Sequence, residues 1–144
     1  MFSKACQYAI RAIVYIATHA SEGRSISLRE IAREISSPEA FTAKILQELV
    51  RNNLINSIKG PNGGFDMDKK QLNRVKLSQV VYAIDGDNIY KGCGLGMTAC
   101  SEKEPCPVHD KFKVIRNELR VMLEKTTVYE LSLGLTAGLT FLKR

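Results

Sequence analysis

The chain has 144 residues, 44% of them hydrophobic, so it can bury one core with a small extension beside it. It has no apolar run of the roughly 18 to 20 residues that a membrane span needs and no signal-peptide cleavage site, so we expect a cytoplasmic protein that has no membrane partner and keeps its cysteines reduced. The net charge is +6, and residues 1–76 carry +5 of it (12 Lys and Arg minus 7 Asp and Glu), which favours a polyanion such as DNA as the partner.

Helical periodicity dominates the first third of the chain. Three helices are predicted, over about residues 3–20, 27–35 and 37–51. Ser27 and Glu30 have the spacing of a capping box, which starts the second helix. Ser37 and Pro38 are typical of the N-cap and first position of the third helix. The short connection between the second and third helices predicts a helix-turn-helix.

A β-hairpin is predicted directly after the third helix. Residues 54–58 and 65–67 have strand character, and the turn between them is rich in residues that tolerate positive φ. Such a hairpin is the wing of a winged helix. The sequence therefore predicts a mainly α fold with a small β-hairpin, in which residues 1–76 form a winged helix-turn-helix DNA-binding domain.

Exposed polar residues of the third helix and the wing are candidate DNA contacts. If this helix enters a major groove, its hydrogen-bonding side chains meet bases and those near its start meet phosphates. The predicted contacts are Ser37, Thr42, Lys44 and Gln47 on the helix and Lys59, Gly60 and Asn62 on the wing. A winged helix can also bind protein, but the basic half of the chain and Lys59 favour DNA.

Residues 77–144 are predicted to contain a short helix, an irregular loop and a long helix. The short helix covers residues 77–85, is capped by Ser78 and is closed by Gly86. The long helix covers residues 110–125, and a last short helix starts at Thr127. The apolar stripe of the long helix consists of Phe112, Ile115, Leu119 and Met122.

Little chain follows the long helix to cover this stripe. We therefore expect a dimerisation helix that pairs with its copy in a homodimer, which suits a palindromic operator on double-stranded DNA. Packing against the first helix in a monomer is the alternative.

The loop over residues 86–109 holds three of the four cysteines and one of the two histidines. Cys93, Cys100, Cys106 and His109 have the spacing C-x6-C-x5-C-x2-H. Thiolates favour zinc, copper(I) and iron-sulfur clusters, and the absence of a tight C-x2-C pair favours a cluster larger than one metal ion. A redox-active or merely cysteine-containing surface loop is the alternative.

Several segments together resemble the winged-helix transcriptional regulators that include IscR and NsrR. They are SKACQYAIRAIVYIA, ISLREIAREISSPEAFTAKILQELVRNNLINSIKGPNGGF, LSQVVYAIDG and the cysteine loop ending in CPVHD, and the resemblance spans residues 1–133. It implies a dimeric bacterial transcription factor that holds a [2Fe-2S] or [4Fe-4S] cluster on Cys93, Cys100 and Cys106. In IscR-like proteins a histidine matching His109 completes the set. In other members the partner's first helix does so, which makes Cys6 the second contender.

Two departures from the IscR-like pattern leave the signal and the operator open. The first gap of the loop has six residues rather than five, and Ala43 stands where an acidic residue can occur. Together with the basic winged helix, the resemblance implies a DNA-binding regulator, in the first place a repressor, and we expect its operator affinity to depend on a cluster that senses redox, nitric oxide or iron-sulfur status.

Catalytic motifs are missing from the sequence, so an enzyme is not expected. Two alternatives stay open. One is a winged-helix regulator with structural zinc or direct thiol sensing. The other, from another class, is a redox or electron-transfer protein.

Overall fold

The computed structural model describes residues 1–144 and is mainly helical, with one two-stranded antiparallel sheet. The helices are α1 (Lys4–Thr18), α2 (Leu28–Glu34), α3 (Glu39–Arg51), α4 (Lys69–Arg74), α5 (Leu77–Asp85), α6 (Asn88–Lys91), α7 (His109–Lys125) and α8 (Val128–Thr136); the strands are β1 (Asn56–Ile58) and β2 (Gly64–Asp66). None of the helices combines the length and apolar character that a membrane crossing requires. The predicted fold class is confirmed.

The first helix, α1, is the centre of the main hydrophobic core. Small and β-branched residues on it, including Ala9, Ala12 and Ile13, are fully buried. Helices α3, α5 and α8 pack around α1, so the core takes residues from both halves of the chain, Val128 of α8 among them. The C-terminal segment therefore covers part of the winged helix directly.

The helix-turn-helix forms as predicted, with different capping. Ser27 accepts a hydrogen bond from the Glu30 amide at 3.2 Å and starts α2. The Glu30 carboxylate does not return to Ser27, because it accepts from the Tyr15 hydroxyl at 2.8 Å and pairs with Arg24. Of the two hydrogen bonds of the predicted capping box, the one to the Ser27 hydroxyl is confirmed and the one from the Ser27 amide to Glu30 is wrong.

The hairpin after α3 has the register Asn56–Asp66, Ser57–Phe65 and Ile58–Gly64. Ile26, just before α2, also pairs with Phe65, so the wing is attached to the helix-turn-helix through the backbone. Gly64 permits this approach, since a Cβ atom there would lie 2.4 Å from the Ile26 carbonyl oxygen. The next helix, α4, was not predicted. Its capping box between Asp68 and Gln71 is a signal that sequence inspection could have used.

Two backbone hydrogen bonds join the starts of α5 and α8. The Leu77 amide donates to the Thr126 carbonyl and the Val128 amide donates to the Val75 carbonyl, both at 3.0 Å. The N-cap of α5 is Lys76, so the prediction that Ser78 caps this helix is wrong. The predicted end at Gly86 is confirmed, and this residue has a φ of 68°.

The predicted apolar stripe of α7 is divided between two environments. Leu119 packs inward, beside a small second core that contains Cys6, Leu77, Val81 and Leu123. Ile115 and Met122 stay 55% and 45% exposed. The helix thus packs on its own subunit and still leaves apolar surface uncovered.

Candidate functional site

The exposed face of α3 carries Lys44 and Gln47, as predicted for a recognition helix. Thr42, in contrast, is only 1% exposed. Its hydroxyl donates to the Pro38 carbonyl oxygen at 2.7 Å and also meets the hydroxyl of Ser37. The prediction that Thr42 faces DNA is therefore wrong, because this hydroxyl is used inside the protein.

Ser37 is half-buried and lies one residue before the N-cap Pro38. The structure therefore corrects its predicted N-cap role. Its hydroxyl is shared with Thr42, so any phosphate contact at this position would have to compete with that bond.

The tip of the wing is exposed at Lys59, Gly60 and Asn62. The Gly63 amide donates to the Gly60 carbonyl at 2.9 Å, and the Ser25 hydroxyl donates to the Asn62 carbonyl at 2.7 Å. The backbone of the tip is thus held in place while the Lys59 side chain is free to reach a polyanion.

The four predicted metal ligands line one small cavity of the loop between α6 and α7. Cys93, Cys100 and Cys106 are half-buried free thiols, and His109, the first residue of α7, is buried. The remaining lining residues are Met97, Ala99, Ser101 and Glu104. The chain therefore brings three thiols and an imidazole to one place.

Two of the three sulfur atoms in this cavity have polar N–H or imidazole groups within hydrogen-bond distance. The Nδ1 atom of His109 lies 3.4 Å from Cys100 Sγ, and the Arg116 guanidinium donates to the same sulfur at 3.2 Å. The Leu95 amide donates to Cys93 Sγ at 3.4 Å. The backbone amides of Leu95 and Met97 lower the pKa of Cys93 and so favour its thiolate, the form that binds metal.

The four side chains suit a metal by their ligand chemistry but not by their present arrangement. Thiolates and an imidazole with N–H donors nearby suit a soft metal or an iron-sulfur cluster. However, no group of three or more His, Cys, Asp or Glu side chains has the arrangement that holds a metal ion. The four ligands would have to draw closer together on binding.

Cys6 does not belong to this cavity. It is fully buried on α1, and burial raises the pKa of its thiol to about 12, with a further contribution from Asp85. The side chain packs in the second core as an apolar group.

One face of α7 lies under the loop, a relationship that the sequence analysis missed. Three residues at helical spacing on this face contact the loop. His109 and Arg116 both contact the Cys100 sulfur, and Lys113 pairs with Glu102. Phe112 lies on the same face, and a Cβ atom on Gly94 would lie 2.9 Å from its ring. The three- and four-residue steps from His109 were the signal that could have identified this face.

A protein-family model described as "Rrf2: Iron-dependent Transcriptional regulator" matches residues 2–132. The chain belongs to the Rrf2 family. Among similar proteins, a helix-turn-helix transcriptional regulator of Aquifex aeolicus is 29% identical over 133 residues, which are 91% of this chain and 90% of the relative. The regulator IscR of Pectobacterium atrosepticum is 25% identical over 125 residues, which are 87% of this chain and 74% of the relative.

Solved structures share the fold of this Rrf2 protein. CymR (YrzC), described as the global cysteine regulator of B. subtilis, has a TM-score of 0.75 at 19% identity and covers 92% of this chain and 96% of its own. IscR of T. potens has a TM-score of 0.73 at 15% identity, covering 97% and 91%. The chain is thus an Rrf2-type transcriptional regulator, and the shared fold alone does not identify its signal.

Proposed function

We propose that this Rrf2 regulator binds operator DNA as a homodimer and that an iron-sulfur cluster on Cys93, Cys100, Cys106 and His109 controls its affinity. The observation that carries the proposal is the convergence of these four side chains on one cavity. The family description as iron-dependent agrees with it. When bound, such a cluster supplies a metal centre that responds to oxidants, nitric oxide or iron supply.

The position of His109 suggests how the loop reaches the rest of the molecule. It is both a candidate ligand and the first residue of α7, so a change in the loop acts directly on the start of this helix. Helix α7 in turn packs on α5, which packs on α1 and α3. A cluster that favours one arrangement of α7 would thereby shift the population of DNA-binding geometries.

The DNA-binding surface in this proposal consists of α3 and the wing. Lys44 and Gln47 would meet the major groove, and Lys59, Gly60 and Asn62 would meet the backbone or the minor groove. Ser37 is retained only as a candidate near phosphate, and Thr42 is excluded because it is buried.

The exposed apolar side of α7 supports dimerisation. Val114 and Val121 are seven residues apart, as are Ile115 and Met122, and all four are 45% to 58% exposed. Replacing Ile115 by Asp places a charge in this surface and is expected to give a monomer in light scattering. Leu139→Asp is the control, since Leu139 is 78% exposed but lies outside α7.

The deciding experiment is anaerobic purification followed by absorption spectroscopy, iron and sulfide analysis and DNA binding to the protein's own upstream region. A brown protein with iron and acid-labile sulfide, whose DNA affinity changes on cluster removal, is expected. Cys100→Ala should lose the visible absorption and keep the fold, whereas Cys6→Ala should keep both. A colourless protein with one zinc ion per chain would contradict the cluster and favour a regulator with structural zinc.

Two further results would point elsewhere. If DNA binding changes on thiol oxidation in a protein without metal, the regulator senses oxidants directly through its thiols. If the protein binds no promoter fragment, with or without a cluster, a redox or electron-transfer protein is favoured instead.

A further inference from the structure

Arg116 connects two segments of the loop to the middle of α7. Its Nη1 atom donates to the Gly92 carbonyl oxygen at 2.5 Å, and its Nη2 atom donates to Cys100 Sγ at 3.2 Å. These two acceptors lie on either side of Cys93 in the sequence. A single guanidinium therefore holds together the part of the loop that contains the first two candidate ligands.

The charge of Arg116 is used differently from that of its neighbours. Lys113 forms an ion pair with Glu102, and Lys91 forms one with Asp87, so both ammonium charges are compensated by carboxylates. The two hydrogen bonds of Arg116 go to a neutral carbonyl group and to a sulfur atom. Its positive charge is therefore directed at the thiols.

A planar guanidinium suits this position better than an ammonium group. It offers several N–H donors in a fixed fork and stays charged at every physiological pH, so it can serve two acceptors at once. Charged donors also form stronger hydrogen bonds to an anionic acceptor than neutral ones do. The bond to Cys100 therefore gains strength when its sulfur is an anionic thiolate, while the bond to the neutral Gly92 carbonyl fixes the guanidinium in place.

We propose that Arg116 is a positioning residue for the cluster, which fixes the Gly92–Cys100 segment to α7 and donates to the Cys100 sulfur. This inference rests on the proposed function. Hydrogen bonds and positive charge at a cluster sulfur stabilise the reduced, more negative state, so Arg116 raises the reduction potential of the cluster. The same bonds slow the loss of iron, since outer-shell partners orient the ligands.

The test compares Arg116→Gln and Arg116→Lys with Arg120→Gln. Arg120 lies one turn further along α7, stacks over the Tyr90 ring at 5.3 Å and bonds to no cysteine, so it controls for the loss of a charge from this helix. In the cluster-loaded protein, Arg116→Gln should lower the reduction potential and speed iron release to a chelator by about 10- to 100-fold. Arg116→Lys should keep more of the original potential than Arg116→Gln does, because it keeps the positive charge. It should keep less of the original iron retention, because an ammonium group lacks the forked donors of the guanidinium.

A second measurement uses the cluster-free protein. Amide hydrogen exchange over residues 92–101 should quicken in Arg116→Gln and stay unchanged in Arg120→Gln, while the α5 amides serve as the internal reference. A protein that never binds iron would overturn the proposed function. Amide exchange in the cluster-free protein would then decide by itself whether Arg116 holds the loop. The inference is overturned if Arg116→Gln matches Arg120→Gln in potential, iron release and loop exchange.

Discussion

The hydroxyl of Thr42 donates a hydrogen bond to the carbonyl oxygen of Pro38 across 2.7 Å, and this bond gives a polar residue of α3 a structural role. The same hydroxyl meets Ser37, so Thr42 ties the first turn of α3 to the connection before it.

Thr42→Val should therefore destabilise the fold without removing a DNA contact. Valine keeps the shape but removes the hydrogen bonds of the hydroxyl to Pro38 and Ser37, which lowers the free energy of unfolding by about 0.5 to 1.5 kcal/mol. Denaturant unfolding measures this change. Gln47→Ala is the matched control: it is exposed on the same helix, so it should change stability by no more than about 0.5 kcal/mol and weaken DNA binding. A Thr42→Val protein of full stability and reduced DNA affinity would contradict the structure.

Lys44 and Lys59 are expected to contribute to DNA binding through charge. Each alanine variant should weaken binding, and a lysine that contacts phosphate should reduce the slope of log affinity against log salt by about 1. Fluorescence anisotropy at several salt concentrations gives this slope. Lys125→Ala, an exposed lysine at the end of α7, should bind like the unchanged protein. Equal slopes for all three variants would remove Lys44 and Lys59 from the interface.

Local patterns predicted most of the helices correctly, and the errors arose where a side chain had a second partner. Ser27 and Thr127 cap their helices because no neighbour competes for their hydroxyls. Ser37 does not, because Thr42 takes its hydroxyl and the helix starts after Pro38. Such competition depends on the three-dimensional arrangement and leaves no trace in spacing.

The candidate ligands were accessible from the sequence because they lie within a single short segment. The groups around them were not. Arg116 and Phe112 meet the loop only because residues 92–108 fold back over one particular face of α7, and the sequence of an irregular segment does not specify that path. Similarly, the division of the α7 stripe into half-buried Leu119 and exposed Ile115 depends on where α1 and α5 lie.

Cys6 should differ from the other three cysteines in its reactivity. Burial, with a contribution from Asp85, raises the pKa of its thiol from 9.0 to about 12, so the reactive thiolate is rare. Alkylation of the folded, cluster-free protein near pH 8 should modify Cys93, Cys100 and Cys106 and spare Cys6 until the chain unfolds, as peptide mass spectrometry would show. Equal labelling of Cys6 would mean that α1 is not packed as described.

The same shift has a consequence for stability at alkaline pH. Because the folded pKa lies above the unfolded one, the contribution of Cys6 is complete below pH 9.0 and is lost as the pH rises towards about 12. Cys6→Ala removes this titration, so its unfolding free energy should fall less steeply across that range. The Tyr15 hydroxyl, whose pKa burial and its bond to Glu30 also raise, remains in both proteins and cancels in the comparison. Parallel curves for the two proteins would contradict the buried position of Cys6.

Gly94 is expected to be intolerant of any side chain, because its backbone lies against the ring of Phe112. An added Cβ atom would sit 2.9 Å from the ring, so either the loop or the ring has to move. Gly94→Ala should therefore loosen the loop, and this should appear as faster amide exchange around Cys93 and faster alkylation of its thiol. Leu95→Ala is the control, since Leu95 is 55% exposed and its loss should leave both rates unchanged.

A second substitution shows whether the clash is the cause. Phe112→Ala removes the ring, so the double variant Gly94→Ala/Phe112→Ala should exchange and alkylate no faster than Phe112→Ala alone. Residues in contact give non-additive effects of this kind, whereas independent sites give additive ones. Additive effects of the two substitutions would show that Gly94 and Phe112 do not meet, and would remove Phe112 from the face of α7 that supports the loop.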